Sequence, residues 1–330
     1  MKHLFKKLCI LSIPLWIYLA FFITFEPNNY FGLKKTAAST APISRVRSFT
    51  ANPNDYLILG DSRLAHFDMQ QVQTISKKPW QNLAFGGASL RETLDLAEFA
   101  VQTNPNIKEL IIGFSFYTLN KKYDTDRMSS LQDTLQNPFA YVLNLEYNIN
   151  TLTSFTNWLI WLKQKISGST QLSWAEAQIE RETGDWQYPQ DYTSADGTIY
   201  PVHTKLAEYP NLIHPTCQGW TPNQEQFQRL IDFAAQCQKK GITLTILLPP
   251  MAENVREEIC TPLGITQQMT QEILPTLQQA SEKYNFILLD YEWQNPPDFD
   301  QDRQFFDGFH LDTEYGLPAF TQMVFGSLTE

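Results

Sequence analysis

Two short stretches of this sequence hold residue types that act together in acyl chemistry. Gly60-Asp61-Ser62-Arg63 directly follows the apolar run Asp55-Tyr-Leu-Ile-Leu59, and Asp307-Gly-Phe-His310 lies near the C-terminus, ahead of Leu311. A serine hydroxyl becomes a nucleophile only with a base within hydrogen-bond reach, and an imidazole serves as that base when a partner holds its tautomer and supports the charge it gains. Because His310 lies three positions after it, the Asp307 carboxylate can orient Nδ1 of His310 while Nε2 faces Ser62. Each motif alone is weak, because Gly-Asp-Ser also makes ordinary turns and helix caps, and an Asp-His pair also makes ordinary surface contacts. Their placement raises them: both fall at the C-terminal edges of predicted strands, where open parallel sheets bind ligands.

The elements that must position them alternate. Short apolar runs predict strands at Asp55 to Leu59, Gln81 to Phe85, Lys108 to Phe114, Ile242 to Leu248 and Phe286 to Asp290. Between them the spacing predicts helices after Ser62, from Ser89 to about Gln102, from Thr221-Pro222 to Lys240, and over about Thr266 to Tyr284 with Pro275 inside it. A last helix is expected from about Thr313 to Leu328. Ser89 and Glu92 have capping-box spacing, and Gly241 follows two lysines as a stop signal. Five strands separated by helices predict an α/β fold: a five-stranded parallel sheet in a three-layer sandwich with right-handed crossovers.

Residues 120–219 break the alternation and read as an insertion or cap in a domain covering 54–330. They carry Trp158, Trp161, Trp174 and Trp186, an amphipathic stretch from Leu143 to Ile166, and a hairpin signal over Trp186 to Tyr200 with its turn at Asp196-Gly197. The aromatics either form a lid that stacks on sugar rings or pack as a small local core, the commoner fate of large aromatic side chains.

The 330 residues carry a net charge of −10 and a mean hydropathy of −0.31, and both averages are uneven. The first 33 residues hold Lys2, Lys6 and Lys7 against Glu26 alone, so the rest stands at −12, with 22 basic and 34 acidic residues. That argues against nucleic acid as a partner. Leu8 to Phe25 is a charge-free run of 18 residues, near the lower limit for crossing a bilayer. With the lysines before it, the run predicts a membrane anchor at 8–25, a cytoplasmic segment at 1–7, and a body outside the cytoplasm. A cleaved signal peptide is the rival reading; its small-residue site would fall only at Ala37 to Ala41. Residues 26–53 read as a linker, and Cys9 as apolar filler.

Cys217, Cys237 and Cys260 leave room for one disulfide outside the cytoplasm, with Cys217 and Cys260 the expected pair. Other candidates carry less chemistry. His66 lies one turn past Ser62 and competes as a base, while His203 and His214 lack ligand spacing. Asp298, Asp300 and Asp302 lack the spacing of a calcium loop. Gly86-Gly87 is no dinucleotide fingerprint. No metal and no cofactor is expected.

These residues resemble the SGNH or GDSL hydrolases over Asp55 to about Asn120 and Pro222 to Leu328. Ser62 matches the family's nucleophile block, Asp307 and His310 its Asp-x-x-His block, and Asn82-Leu-Ala-Phe-Gly-Gly87 its second block. The resemblance implies an oxyanion hole built from the backbone N–H groups of Ser62 and Gly87. Arg63 stands where the family usually has Leu, a departure expected to be harmless. The third block's Gly-x-Asn-Asp is absent, and Gly113-Phe-Ser-Phe-Tyr-Thr-Leu-Asn120 stands in its place. Asn120 is then the expected side-chain donor, with Ser115 and Tyr117 as alternatives. With its anchor and insertion the chain looks most like membrane-tethered members, which include the alginate O-acetylation proteins and the D-alanine transfer protein of teichoic acid synthesis. The resemblance implies serine-dependent acyl transfer or ester hydrolysis on an envelope polysaccharide, beside a membrane-bound acyltransferase partner. A non-catalytic domain that binds glycan or docks such a partner is the alternative.

Overall fold

The computed structural model describes residues 2–34, 41–173, 191–193 and 199–328. In chain order the elements are helices α1 (Lys2–Phe25) and α2 (Pro42–Ala51), strand β1 (Tyr56–Leu59), helices α3 (Ser62–Ala65) and α4 (Met69–Ser76), strand β2 (Gln81–Asn82), helix α5 (Leu90–Thr103) and strand β3 (Glu109–Gly113). Helices α6 (Met128–Gln136), α7 (Pro138–Val142) and α8 (Leu145–Ile166) follow, then strands β4 (Asp191–Thr193), β5 (Ile199–Pro201), β6 (Thr243–Leu248) and β7 (Ile287–Asp290), with helices Val202–Cys217, Gln224–Lys240, Leu274–Tyr284 and Gly316–Ser327 around the last two. The chain divides into two compact units: Met1–Ala51 with Ser129–Gly184, and Asn52–Met128 with Asp185–Glu330.

The second unit is α/β. Its five-stranded sheet is parallel throughout, in the order β2-β1-β3-β6-β7. β1 and β3 are apolar on both faces and buried on both, as a sheet covered by helices requires. One group of helices packs through Phe67 on Phe320 and Phe325, joining the region of α3 and α4 to Gly316–Ser327. Another sets α5 beside Gln224–Lys240, held by Arg229 on Asp95 and Glu98.

All five expected strands are present, and α5 starts at the capping box of Ser89 and Glu92. Gly241 ends Gln224–Lys240 in the left-handed conformation. The start of that helix differs from expectation: its cap is Asn223, whose side chain accepts from Gln226 N, while Pro222 bridges Asn120. A proline has no N–H to lose at such a bridge. Pro275 sits in the first turn of Leu274–Tyr284, after a π-helical turn at Met269–Ile273, so its missing donor interrupts nothing.

The first unit is helical and corrects two expectations. The expected linker is ordered in its described parts: Glu26 accepts from Asn28 N, Tyr30 N and the Tyr141 hydroxyl, and α2 buries Ile43, Val46 and Phe49. The expected insertion is not one body, because α6 to α8 belong with α1 and α2 while the rest belongs with the sheet. The reason is aromatic packing. Tyr30 stacks on Tyr141 with ring centroids 4.0 Å apart, and Phe21 and Phe25 pack on Phe155 and Trp158 of α8. These aromatics therefore form a local core. β4 and β5 make the expected antiparallel pair; Trp174, Trp186 and the Asp196-Gly197 turn lie outside the described residues. Among the described residues no helix is long and apolar enough to cross a membrane; the expected span at 8–25 ends in protein packing, with Phe22 fully buried.

Candidate active site

β1 leads to Ser62, the candidate nucleophile. It runs into Gly60, whose φ of +152° and close approach to Gly113 exclude a side chain: an added Cβ would lie 2.8 Å from Leu64 Cδ1 and 3.2 Å from Gly113 Cα. Asp61 then caps α3, accepting from Arg63 N at 2.9 Å, so Ser62 opens the helix with an N–H that has no acceptor within it.

The loop after β7 delivers His310, the candidate base. Ala252 N donates to Gly308 O at 3.0 Å, tying the loop to the end of β6. Behind it, Asp312 accepts from the backbone N–H groups of Glu314, Tyr315 and Gly316 where the last helix begins. Between these ties the Asp307 carboxylate accepts from Phe309 N at 2.8 Å and His310 N at 2.7 Å, which locks the turn. His310 Nδ1 lies 3.0 and 2.9 Å from the two Asp307 oxygens, and its Nε2 lies 2.7 Å from Ser62 Oγ. The three residues expected to act together are therefore one hydrogen-bonded chain. Burial would raise the Asp307 carboxyl, but the His310 charge and these hydrogen bonds outweigh it and hold it below the usual range.

The expected second block is held along β1 because pairing with that strand continues past β2: Leu83 N donates to Ile58 O and Phe85 N to Gly60 O. Asn82 donates to Leu64 O and accepts from Ala84 N, joining this block to α3. Gly87 has φ +65°, and an added Cβ would meet the Tyr123 hydroxyl at 3.2 Å. Its orientation is held by Arg127, a residue that sequence reasoning missed. The Arg127 guanidinium donates to Gly86 O and Gly87 O while pairing with the fully buried Glu92, the same carboxylate that closes the α5 capping box. A lone Arg forty residues after a glycine pair gives no sequence signal.

The third-block candidates are engaged elsewhere. The Asn120 amide donates to Thr216 O at 3.3 Å, and its oxygen accepts from Lys122 N. Ser115 is fully buried against Thr118. The Tyr117 hydroxyl donates to Asp61; burial and the Asp61 charge push its pKa well up, so it stays a donor.

Arg63 is more than a neutral departure. It is fully enclosed: it donates to Glu292 at 3.1 Å and to Pro249 O at 3.3 Å, lies 3.8 Å from Asp61, and packs under the rings of Tyr117 and Phe309. Burial pushes the Glu292 carboxyl up to about 7, against the pull of Arg63 and of the Phe116 N–H.

A cavity of about 340 Å³ lies against this site, walled by Tyr117, Tyr123 and Phe309, with Asn120, Thr216 and Cys217 among its other sides. Its walls adjoin the candidate site residues on three sides: Tyr117 bonds Asp61, Tyr123 reaches Gly87, and Phe309 precedes His310.

His214 is exposed, and the side chain of His203 lies outside the described residues. Asp300 caps a short helix by accepting from Asp302 N. Among the described residues no group of His, Cys, Asp and Glu could hold a metal ion. The expected disulfide is not formed: Cys217, Cys237 and Cys260 are free, buried thiols, each with its pKa pushed up by burial. Compared with known proteins, the chain matches no family model and no curated relative.

Proposed function

We propose that this chain is a serine-dependent acyl-transfer or ester-hydrolysis enzyme of SGNH type, acting on O-acyl groups of a cell-envelope or exported polysaccharide. The observation that carries the reading is the continuous chain Ser62 Oγ, His310 Nε2, His310 Nδ1, Asp307 at hydrogen-bond distances on a parallel-sheet edge. Ser62 Oγ attacks the ester carbonyl and passes its proton to His310, whose charge Asp307 supports. The N–H groups of Ser62 and Gly87 receive the oxyanion. As the ester C–O bond breaks, His310 protonates the departing alcohol, which leaves an acyl-Ser62. Water or a glycan hydroxyl, deprotonated by His310, then attacks that ester; the acyl–Oγ bond breaks as His310 returns the proton to Ser62 Oγ, and the acid or the newly acylated sugar is released. The aromatic-walled cavity offers faces on which a sugar ring can stack.

The reading includes a membrane tether through 8–25 that holds the body outside the cytoplasm, beside a membrane-bound acyltransferase; its support is the charge-free run and the lysines before it. The commitment of Asn120 to Thr216 and Lys122 favours a second reading, a non-catalytic domain of this fold that binds glycan or docks the acyltransferase.

A serine-reactive fluorophosphonate separates the two. The enzyme reading expects labelling at Ser62 that is absent in Ser62→Ala and His310→Ala, together with release of acid from an aryl acetate. A folded wild-type chain that takes no label overturns it. An oligosaccharide acceptor then divides transfer from hydrolysis by whether the acyl group reaches the sugar.

A further inference from the structure

Helix α8 carries large apolar side chains on both of its sides. Thr151 and Ser154 are 1% and 3% exposed and lie on the side where Phe155 and Trp158 meet Phe21 and Phe25, whereas Leu145, Ile149, Leu152 and Leu159 are 75%, 53%, 54% and 45% exposed. These four aliphatic residues recur at helical spacing and form one outward stripe. In water this arrangement wastes apolar burial; where the surroundings are lipid, small polar residues at helix contacts and apolar side chains outside are the ordinary pattern. Phe139 and Leu143, at the two ends of α7, add two more exposed apolar side chains just before α8.

The apolar face of α1 is continuous with this stripe. Tyr18 donates to Val142 O and lies 2.8 Å from Asn148 Oδ1, so α7 and the first turn of α8 sit level with the middle of α1. N-terminal to Tyr18, the side chains of Ile10, Leu11, Ile13, Leu15, Trp16 and Ile17 are exposed. From Tyr18 onward α1 packs on protein, so the stretch that carries these exposed side chains, Ile10 to Ile17, is only about 12 Å long, less than half of a hydrocarbon core. Charge is scarce across the same region. From Thr134 to Leu162 the only charged residue is Glu146, in the first turn of α8. Among the described residues of the other unit, only Leu212 and Ile287 are exposed large apolar side chains.

We infer that the outward stripe of α8, with Phe139 and Leu143, is a lipid-contacting collar that seats this helical unit in the headgroup–acyl boundary beside α1, and that α1 alone is not the whole membrane contact. The inference rests on the membrane part of the proposed function and deepens it. Lipid is the occupant favoured because the stripe continues the apolar face of α1 and one carboxylate is the only charge within 29 residues.

The test uses the full chain in phosphatidylcholine–phosphatidylglycerol vesicles, in a Cys9→Ser background, with a nitroxide on Leu145→Cys, Ile149→Cys or Leu152→Cys, on Leu11→Cys, and on Glu282→Cys as a water-facing control. The collar expects the three α8 labels to be open to oxygen and shielded from a water-soluble nickel chelate, with the control reversed. In flotation, Ile149→Lys with Leu152→Lys should cut vesicle-bound protein several-fold. Nickel access at α8 equal to the control, with Leu11 in lipid, overturns the collar and leaves the tether. Shielding from both reagents means a protein covers the stripe and also overturns it. Nickel access at Leu11 as well removes the membrane part altogether. Fluorophosphonate labelling of the same samples reports the enzyme reading independently of all these outcomes.

Discussion

The guanidinium of Arg63, one residue after the candidate nucleophile, lies 3.1 Å from the Glu292 carboxylate with neither side chain more than 2% exposed. This ion pair lies beneath the site: Arg63 also packs under Tyr117 and Phe309, the neighbours of Asp61 and His310. Arg63→Leu, which restores the residue usual in the resembled family, leaves Glu292 and Asp61 without their cation. It should lower stability by about 3–5 kcal/mol at about pH 8. The loss should be smaller near pH 5, where Glu292 takes a proton. Urea unfolding at the two pH values checks both parts.

Two buried carboxyls should titrate with opposite sign. Asp307 is held below its usual value, so its contribution is full above the unfolded pKa and is lost as pH falls through the folded one. Glu292 is pushed up to about 7, so between its ordinary range and about 7 the folded state holds a proton that the unfolded state has released. Stability from this group therefore falls as pH rises across that window. Urea midpoints of Glu292→Gln against wild type should converge in the wild type's disfavour as pH rises to about 7, while Asp307→Asn should flatten the acid limb.

On the proposed enzyme reading Ser62, His310 and Asp307 act as a unit, so losses within the set should not add. Ser62→Ala and His310→Ala should each cost about four orders of magnitude or more in kcat for an aryl ester, and the double variant should cost no more than either one. Asp307→Asn keeps the shape but loses the charge and should cost about 10⁴-fold. Single-turnover kinetics with unchanged folded-state spectra would establish this pattern; additive losses would refute it.

On the same reading Arg127 is a positioning residue that acts through Gly87. Without its bonds to the Gly86 and Gly87 carbonyls the loop loses its fixed orientation, and a misplaced oxyanion donor costs up to about a hundredfold or more. Arg127→Ala should lower kcat by about tenfold to a hundredfold with little change in KM. Arg127→Lys should recover part of it. A change confined to KM would assign Arg127 to substrate binding instead.

The strands were legible because β1, β3 and β6 are apolar on both faces and short, and α5 because its cap and stripe lie within a few residues. Ser62, Asp307 and His310 were legible because the Gly60-Asp61-Ser62 run follows a readable strand at once and the Asp307 to His310 run lies between the last readable strand and the last readable helix. Residues whose role depends on a distant partner were not. Arg63 reads as an ordinary turn residue until Glu292 is beside it, and Arg127 as a surface cation until Gly86, Gly87 and Glu92 surround it. Asn120 looked like a donor by its position in the block, but its amide is spent on Thr216, ninety-six residues away.

Local pattern, then, determined the alternating α/β order, the two motifs at strand edges and the charge-free N-terminal run, since propensity, capping and hydropathy act within a few residues. Three results were decided by tertiary structure: that Ser62 and His310 meet at 2.7 Å, that α2 from the expected linker and α6 to α8 from the expected insertion belong to one helical unit, and that α8 turns four large aliphatic side chains outward. Each depends on which distant surfaces bury one another, and that balance of packing and desolvation is set only when the whole chain is folded.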